Sequence, residues 1–306
     1  MGGRTLLQRL LHALLVVLGA ATVVFFLARL GGDPAILMAE PTARPQEIEA
    51  LRRSMGLSDP LYLQYVRFLG KAARGDLGRS LWQQQPAATL VLERTPATLK
   101  LTVGSLALSA AIALPAGIVS AIWRGGRVDR LTMIAALFFQ SVPGFALGMV
   151  LIFFFAVRLH WLPTSGGGSF AHLVLPAMTL ATYSTGRLAR LTRSGMLEVL
   201  REDYIRTARG KGVSEVMVVV RHGLRNALIP VLTLTGLEFG ALMGGAVIVE
   251  TVFAWPGIGR LAIQAIEHRD FPLVQASVLF VASVIVAVSV AVDVLYTYLD
   301  PRIRYD

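Results

Sequence analysis

Five apolar runs punctuate the chain, near 9–30, 98–122, 131–157, 228–250 and 274–298. Each reaches the roughly 20 residues that a helix needs to cross the hydrocarbon core of a bilayer. A sixth run starts at His172 and reads HLVLPAMTLATYSTGRLARL, where Arg187 and Arg190 shorten the apolar stretch. It reads as a span ending between Tyr183 and Arg187, because long basic side chains at a helix end snorkel to the interface. The pattern therefore predicts an all-α membrane protein with six transmembrane helices. Pro143, inside the third run and followed by Gly144 and Gly148, predicts a kink in that span.

Composition agrees with a bilayer: 55% of the 306 residues are hydrophobic, 16% are charged, and the mean hydropathy is +0.63, which excludes an ordinary soluble domain. The formal charge is +10, but the basic residues alternate with apolar runs instead of forming one stripe, which suits a membrane surface and not nucleic acid. Six spans put both termini on one side. Arg4, Arg9, Arg124, Arg127, Arg130, Arg302, Arg304 and a dense basic loop fall on that side, while the short loops opposite hold only Arg158, Arg260 and Arg269. The positive-inside rule makes that side cytoplasmic. The first run is too long for the core of a cleaved signal and lacks a small-residue cleavage site before Arg29, so it reads as an uncleaved span. Cysteine is absent, which removes disulfides and thiolate chemistry. The histidines, at 12, 160, 172, 222 and 268, share no metal-ligand spacing, so no bound metal is expected.

The chain divides into an N-terminus with the first span (1–30), a long extracytoplasmic segment (31–97) and a five-helix core (98–306) containing a cytoplasmic loop at 187–227. In the long segment, Asp59 before Pro60 reads as an N-cap with proline at the first helical position, and Gly75 as a stop, predicting two short helices. Leu61, Tyr65, Phe68 and Leu69 fall on one stripe that would pack on the outer membrane face. Segment 196–230 is amphipathic and basic but too polar to span. Gly210 and Gly212 interrupt its helical pattern, and Ser214 before Glu215 reads as a fresh N-cap, so two short helices meeting at a glycine turn are expected. On charge alone, Arg206, Arg209 and Lys211 suit an acidic partner and anionic lipid alike.

Polar and small residues inside the spans leave alternatives open. Gly236, Gly240 and Gly244 repeat every four residues, a face for helix packing or for lining a path. Glu238 reads either as a translocation-path contact or as a hydrogen-bonded structural acid, and Asp293 raises the same question nearer the cytoplasmic end. No G-x-x-x-x-G-K-[ST], H-E-x-x-H or G-x-S-x-G motif occurs, so neither nucleotide hydrolysis nor intramembrane hydrolysis is expected of this chain. A secondary transporter using Glu238 and Asp293 as proton or cation sites is the second reading.

Aligned on Gly212, the loop runs Arg206-Thr207-Ala208-Arg209, then Lys211-Gly212, and ends Leu228-Ile229-Pro230. It resembles the signature loop of binding-protein-dependent ABC importer permeases, usually written Glu-Ala-Ala, three residues, glycine, in the variant found in the dipeptide, oligopeptide and nickel permease family. The resemblance extends through Gly32-Asp33-Pro34-Ala35, Arg74-Gly75-Asp76-Leu77-Gly78, Ser141-Val142-Pro143-Gly144, Glu250-Thr251-Val252-Phe253-Ala254-Trp255-Pro256-Gly257 and Leu299-Asp300-Pro301-Arg302. It implies a type I importer permease fold in a prokaryotic inner membrane. It also implies that Arg206, Thr207, Ala208, Arg209, Lys211 and Gly212 enter a groove on an ATPase as a coupling helix. The implied partners are a second homologous permease forming a heterodimer, two ATPase subunits or domains, and an extracytoplasmic substrate-binding protein. ATP-Mg is then used by the partner ATPase, with no cofactor on this chain. The implied cargo is a dipeptide, oligopeptide or similar small solute, recognised mainly by the binding protein.

Overall fold

A computed structural model describes residues 3–30, 32, 35–36, 39, 43–54 and 56–299. Asp33 and Pro34 of the early block, and the chain beyond Leu299 with Arg302 and Arg304, lie outside the described residues. The described chain is helical, with a single bridge, Arg79 to Pro86, outside the helices. In order, the helices are α1 (Gly3–Leu30), α2 (Pro45–Ser54), α3 (Leu61–Ala72), α4 (Ala87–Ile122), α5 (Arg127–Ser141), α6 (Gly144–Leu151), α7 (Phe170–Val199), α8 (Asp203–Gly210), α9 (Glu215–Met217), α10 (Arg225–Val252), α11 (Ile258–Glu267) and α12 (Phe271–Leu299). Wider π-helical turns extend α6 through Ile152–Arg158 and join α9 to α10 through Val218–Leu224.

Four stretches are long and apolar enough to cross a membrane: Leu11–Arg29, Ala87–Ile122, Pro230–Val252 and Phe271–Val292. The third expected span is not one kinked helix. It breaks between α5 and α6 with a bend of 100°, where Val142 is extended and Pro143 precedes the first turn of α6. Proline has no N–H to give to the preceding turn and disfavours a helical residue before it, so the chain starts a new helix there. Counted as one span, this pair makes a fifth. The weak sixth run is a helix, α7, of 30 residues, which exceeds the expected span and carries Arg187, Arg190 and Arg193 in its second half. α4 likewise begins at Ala87, not near 98, so the boundary drawn at 97 falls inside a continuous helix.

Small residues allow the helices to approach closely. A Cβ on Gly117 of α4 would lie 2.7 Å from the carbonyl oxygen of Ala189 in α7, and one on Gly186 of α7 would lie 2.5 Å from that of Ala136 in α5. Such contacts let van der Waals packing hold helices together where lipid removes the hydrophobic driving force. The main core gathers Leu101, Leu175, Leu180, Leu242, Val249 and Phe253 from α4, α7, α10 and its end. α12 packs against α1 and α10.

The loops segregate to two ends. At one, Gly166 N–H donates to the Phe253 carbonyl (2.9 Å), and the 79–86 loop bonds to Asp270. At the other, Met196, Ala121, Val219 and Ala227 form a cluster that joins the ends of α4 and α7 to the start of α10. In the long segment, Gly75 ends α3 as expected: at φ +78° it lets the Asp76 N–H reach the Lys71 carbonyl (3.0 Å). Asp59 is not the side-chain cap. Pro60 holds the N-cap position, while the Asp59 carboxylate pairs with Arg67 and its carbonyl accepts from Gln64 Nε2 (2.7 Å). The apolar stripe lies on α1: Phe25 meets Tyr65 and Phe68 at ring separations of 5.3 and 5.5 Å, and Leu61 stays exposed.

Candidate functional site

α8 is a two-turn amphipathic helix whose Ile205 and Ala208 are buried against Val218, with Leu200 and Val213 around them. Its opposite face presents Arg206, Thr207, Arg209 and Lys211 to solvent. Gly212 ends it at φ +78°: its N–H donates to the Arg209 carbonyl (2.9 Å) and the Val213 N–H to the Ala208 carbonyl (3.2 Å), the paired bonds of a Schellman stop. A side chain at 212 has open space around it, so the demand for glycine comes from the backbone and not from crowding.

A bidentate pair closes this turn. Arg209 Nε donates to Glu215 Oε2 (3.0 Å) and Nη2 to Oε1 (2.6 Å). The guanidinium bonds hold the Glu215 carboxyl below its ordinary value and raise Arg209. Ser214 occupies the expected N-cap position but makes no side-chain cap bond. The second expected helix is not separate, because α9 continues through the π turn into α10. Asn226 Nδ2 donates to the Tyr204 hydroxyl (2.7 Å), tying α8 to the start of α10. Sequence reasoning also passed over Val216, Met217 and Val220, which are exposed just after the turn. Tyr204, on α8, is exposed as well. Their signal was an apolar excess in a segment otherwise read for its charges.

Behind the loop, Asp129 at the start of α5 accepts from Arg193 Nε (2.6 Å) and Nη2 (2.8 Å), from Ser120 Oγ, and from the Gly125 N–H (2.8 Å). This buried node ties α4, α5 and α7 together at the loop end.

Glu238 is 1% exposed. Ser184 Oγ donates to its Oε2 (2.6 Å), and Arg187 Nη1 lies 2.7 Å from its Oε1, a contact that is ionic but not aligned as a hydrogen bond. Arg187 also sits over the Tyr183 ring at 5.6 Å. It therefore does not simply snorkel: it turns inward to a carboxylate on the neighbouring helix. The Asp293 side chain lies outside the described residues. Of the glycine stripe, Gly236 and Gly240 face α12, where a Cβ would meet Val292 at 2.1 Å and Ile285 at 3.4 Å, whereas Gly244 faces open space. Near them a cavity of about 300 Å³ is bounded by the α5–α6 break beside Pro143, by Thr182 and Tyr183 of α7, and by Ala241 and Gly245 of α10.

Two buried carboxylates organise the far end. Glu250 accepts from Thr98 Oγ1 (2.6 Å) and from the Arg260 N–H (3.0 Å), capping the N-terminus of α11 from the end of α10. Gly257 is required there, since a Cβ would lie 2.1 Å from Glu250 Oε1. Asp270 accepts from Ser80 Oγ, the Trp82 N–H (3.1 Å) and the Leu273 N–H (3.1 Å), capping α12. The rule that singled out Glu238, an ionisable group within an apolar run, applies equally to Glu250.

Helices built in this order, with a glycine-turn loop between α8 and α9, define the type I ABC importer permease fold. Solved structures match it: the MetNI methionine ABC transporter in inward-facing conformations superposes with a TM-score of 0.59 at 21% identity, over 69% of this chain and 96% of that one. A second crystal form of the same transporter gives 0.57 at 20%. The chain belongs to the family described as "Binding-protein-dependent transport system inner membrane component", which matches residues 113–305, and its N-terminal counterpart, "Binding-prot-dependent transport system membrane comp, N-term", matches 3–102. Among curated relatives, the glutathione transport system permease protein GsiC of Escherichia coli O6:H1 is 45% identical over 300 residues, covering 98% of each chain, and that of Shigella flexneri serotype 5b is equally similar. The chain is thus the permease component of an ABC importer, non-catalytic, with ATP hydrolysis in a separate subunit. Nothing found supports a secondary transporter.

Proposed function

We propose that this subunit passes short peptides or glutathione-like solutes across the inner membrane, paired with a second homologous permease, two ATPase subunits and an extracytoplasmic binding protein. The solute class rests on the 45% identity with glutathione permeases over 98% of both chains. In this reading both termini and the loop at 200–224 are cytoplasmic, the boundary expected at 187 falling inside α7, six spans cross the membrane with α7 among them, and ATP-Mg acts only on the partner.

The observation that carries the coupling role is the clasped turn at Gly212, which follows a two-turn helix with a cationic face and precedes the exposed Val216, Met217 and Val220. Closure of the ATPase dimer would displace α8, and the continuous path through α9 would turn that displacement into motion of α10. Replacing Gly212 with Leu strains an αL position and should abolish uptake and solute-stimulated ATPase activity while the protein still inserts. Full coupled transport by Gly212→Leu would remove the coupling role.

A further inference from the structure

A polar cavity of about 590 Å³ opens at the end of the molecule opposite the coupling loop, between α4, the 79–86 loop and α11. Its walls include Trp82, Gln83, Gln85, Arg94, Arg260 and Gln264, two guanidinium groups with no carboxylate among the lining residues. That composition selects an anion, and planar guanidinium forks match a carboxylate in particular.

Each wall is held in place from behind. Glu250 fixes the backbone of Arg260, and Arg260 Nη1 donates to the Ala254 carbonyl (2.6 Å), which aims the guanidinium and leaves its other N–H groups for a ligand. Asp270 holds Trp82 through the Trp82 N–H, and the indole stacks on His268 with ring centroids 4.1 Å apart. Arg94 stands on α4 one turn before Ala97 and Thr98, which are themselves bonded to Trp255 Nε1 (2.9 Å) and Glu250. Two buried carboxylates that no transport step uses thus pre-organise one pocket, which lowers the ordering cost of binding.

We propose that this pocket receives the carboxylate of the solute as it enters the permease, through Arg94 and Arg260. The inference rests on the solute reading above, and two measurements separate them. In the complete transporter in nanodiscs, without binding protein, phenylglyoxal modification of Arg94 and Arg260 is followed by mass spectrometry. Glutathione and a dipeptide free acid should slow it severalfold, and the dipeptide amide should not. Equal protection by acid and amide, or none, overturns the proposal. In a second run with unloaded binding protein added, protection by that protein and not by the free acid assigns the pocket to a protein carboxylate and overturns the proposal too.

In proteoliposomes with binding protein, the Arg94→Gln/Arg260→Gln double variant should raise KM for the free acid about tenfold toward that of the amide, the scale of lost charge-assisted bonds. An unchanged acid-to-amide ratio sinks the site. Arginine protection by carboxylates, with no peptide uptake by the unaltered transporter, would keep the site and refute the solute class.

Discussion

A Cβ on Gly236 would fall 2.1 Å from Val292 Cγ2, on a short β-branched side chain that cannot swing away, whereas one on Gly244 meets nothing within 4 Å. Two members of one sequence stripe therefore differ in consequence. Gly236→Ala should cost about 1–3 kcal/mol through overpacking of α10 against α12. Gly244→Ala should be neutral or stabilising by about 0.5–1 kcal/mol, since glycine weakens a helix interior. Thermal unfolding of the detergent-solubilised subunit ranks the two, and equal shifts would contradict the packing described. The periodicity of the stripe was legible in the sequence. Which glycine touches a neighbour was not, because that depends on the rotation of α10 about its axis.

At the scale of elements, Glu238 and Arg187 join α10 to α7. Arg187→Ala leaves a 1% exposed carboxylate without its partner and, because Arg187 itself is 37% exposed, should destabilise the subunit by about 1–3 kcal/mol. An Arg187→Met/Glu238→Leu pair should recover most of that loss, because it also removes the buried charge. A double variant as unstable as Arg187→Ala would show that the pair does more than neutralise. The clasp across the coupling turn responds to pH. Glu215 titrates below its ordinary 4.5 because of the Arg209 bonds, so the clasp is fully present above 4.5 and fades as pH falls through the lowered folded value. After correction for intrinsic exchange, protection of the Val213 amide should therefore hold from neutral pH to about 5 and drop below 4.5. Glu215→Gln should abolish that drop, and a drop that persists in the variant would locate the titrating group elsewhere.

At the scale of the whole molecule, the loops collect at two ends, and absence of cysteine gives single-cysteine labelling a clean background. Lys211→Cys should react with an impermeant maleimide only in inverted membrane vesicles, and Gln83→Cys only in right-side-out ones. The reverse pattern would invert the proposed orientation. The 100° break at Val142–Pro143 belongs to this scale too. Sequence located the proline, but not the size of the bend or the seat of α6, where a Cβ on Gly148 would approach Phe253 ring Cε2 to 3.1 Å.

The sequence by itself determined the helical membrane class, the positions of the apolar runs, the glycine turn at 212 and the family, since these depend on short stretches whose hydropathy and backbone demands are local. Tertiary structure alone decided the partners of the buried charges. Glu238 meets Ser184 across 54 positions, Glu250 meets Thr98 across 152 and Asp270 meets Ser80 across 190. A carboxylate in an apolar run announces a need for a donor, but which donor answers is set by how the helices pack. For the same reason Arg94 and Arg260, far apart in the sequence, are brought to one pocket only by the fold.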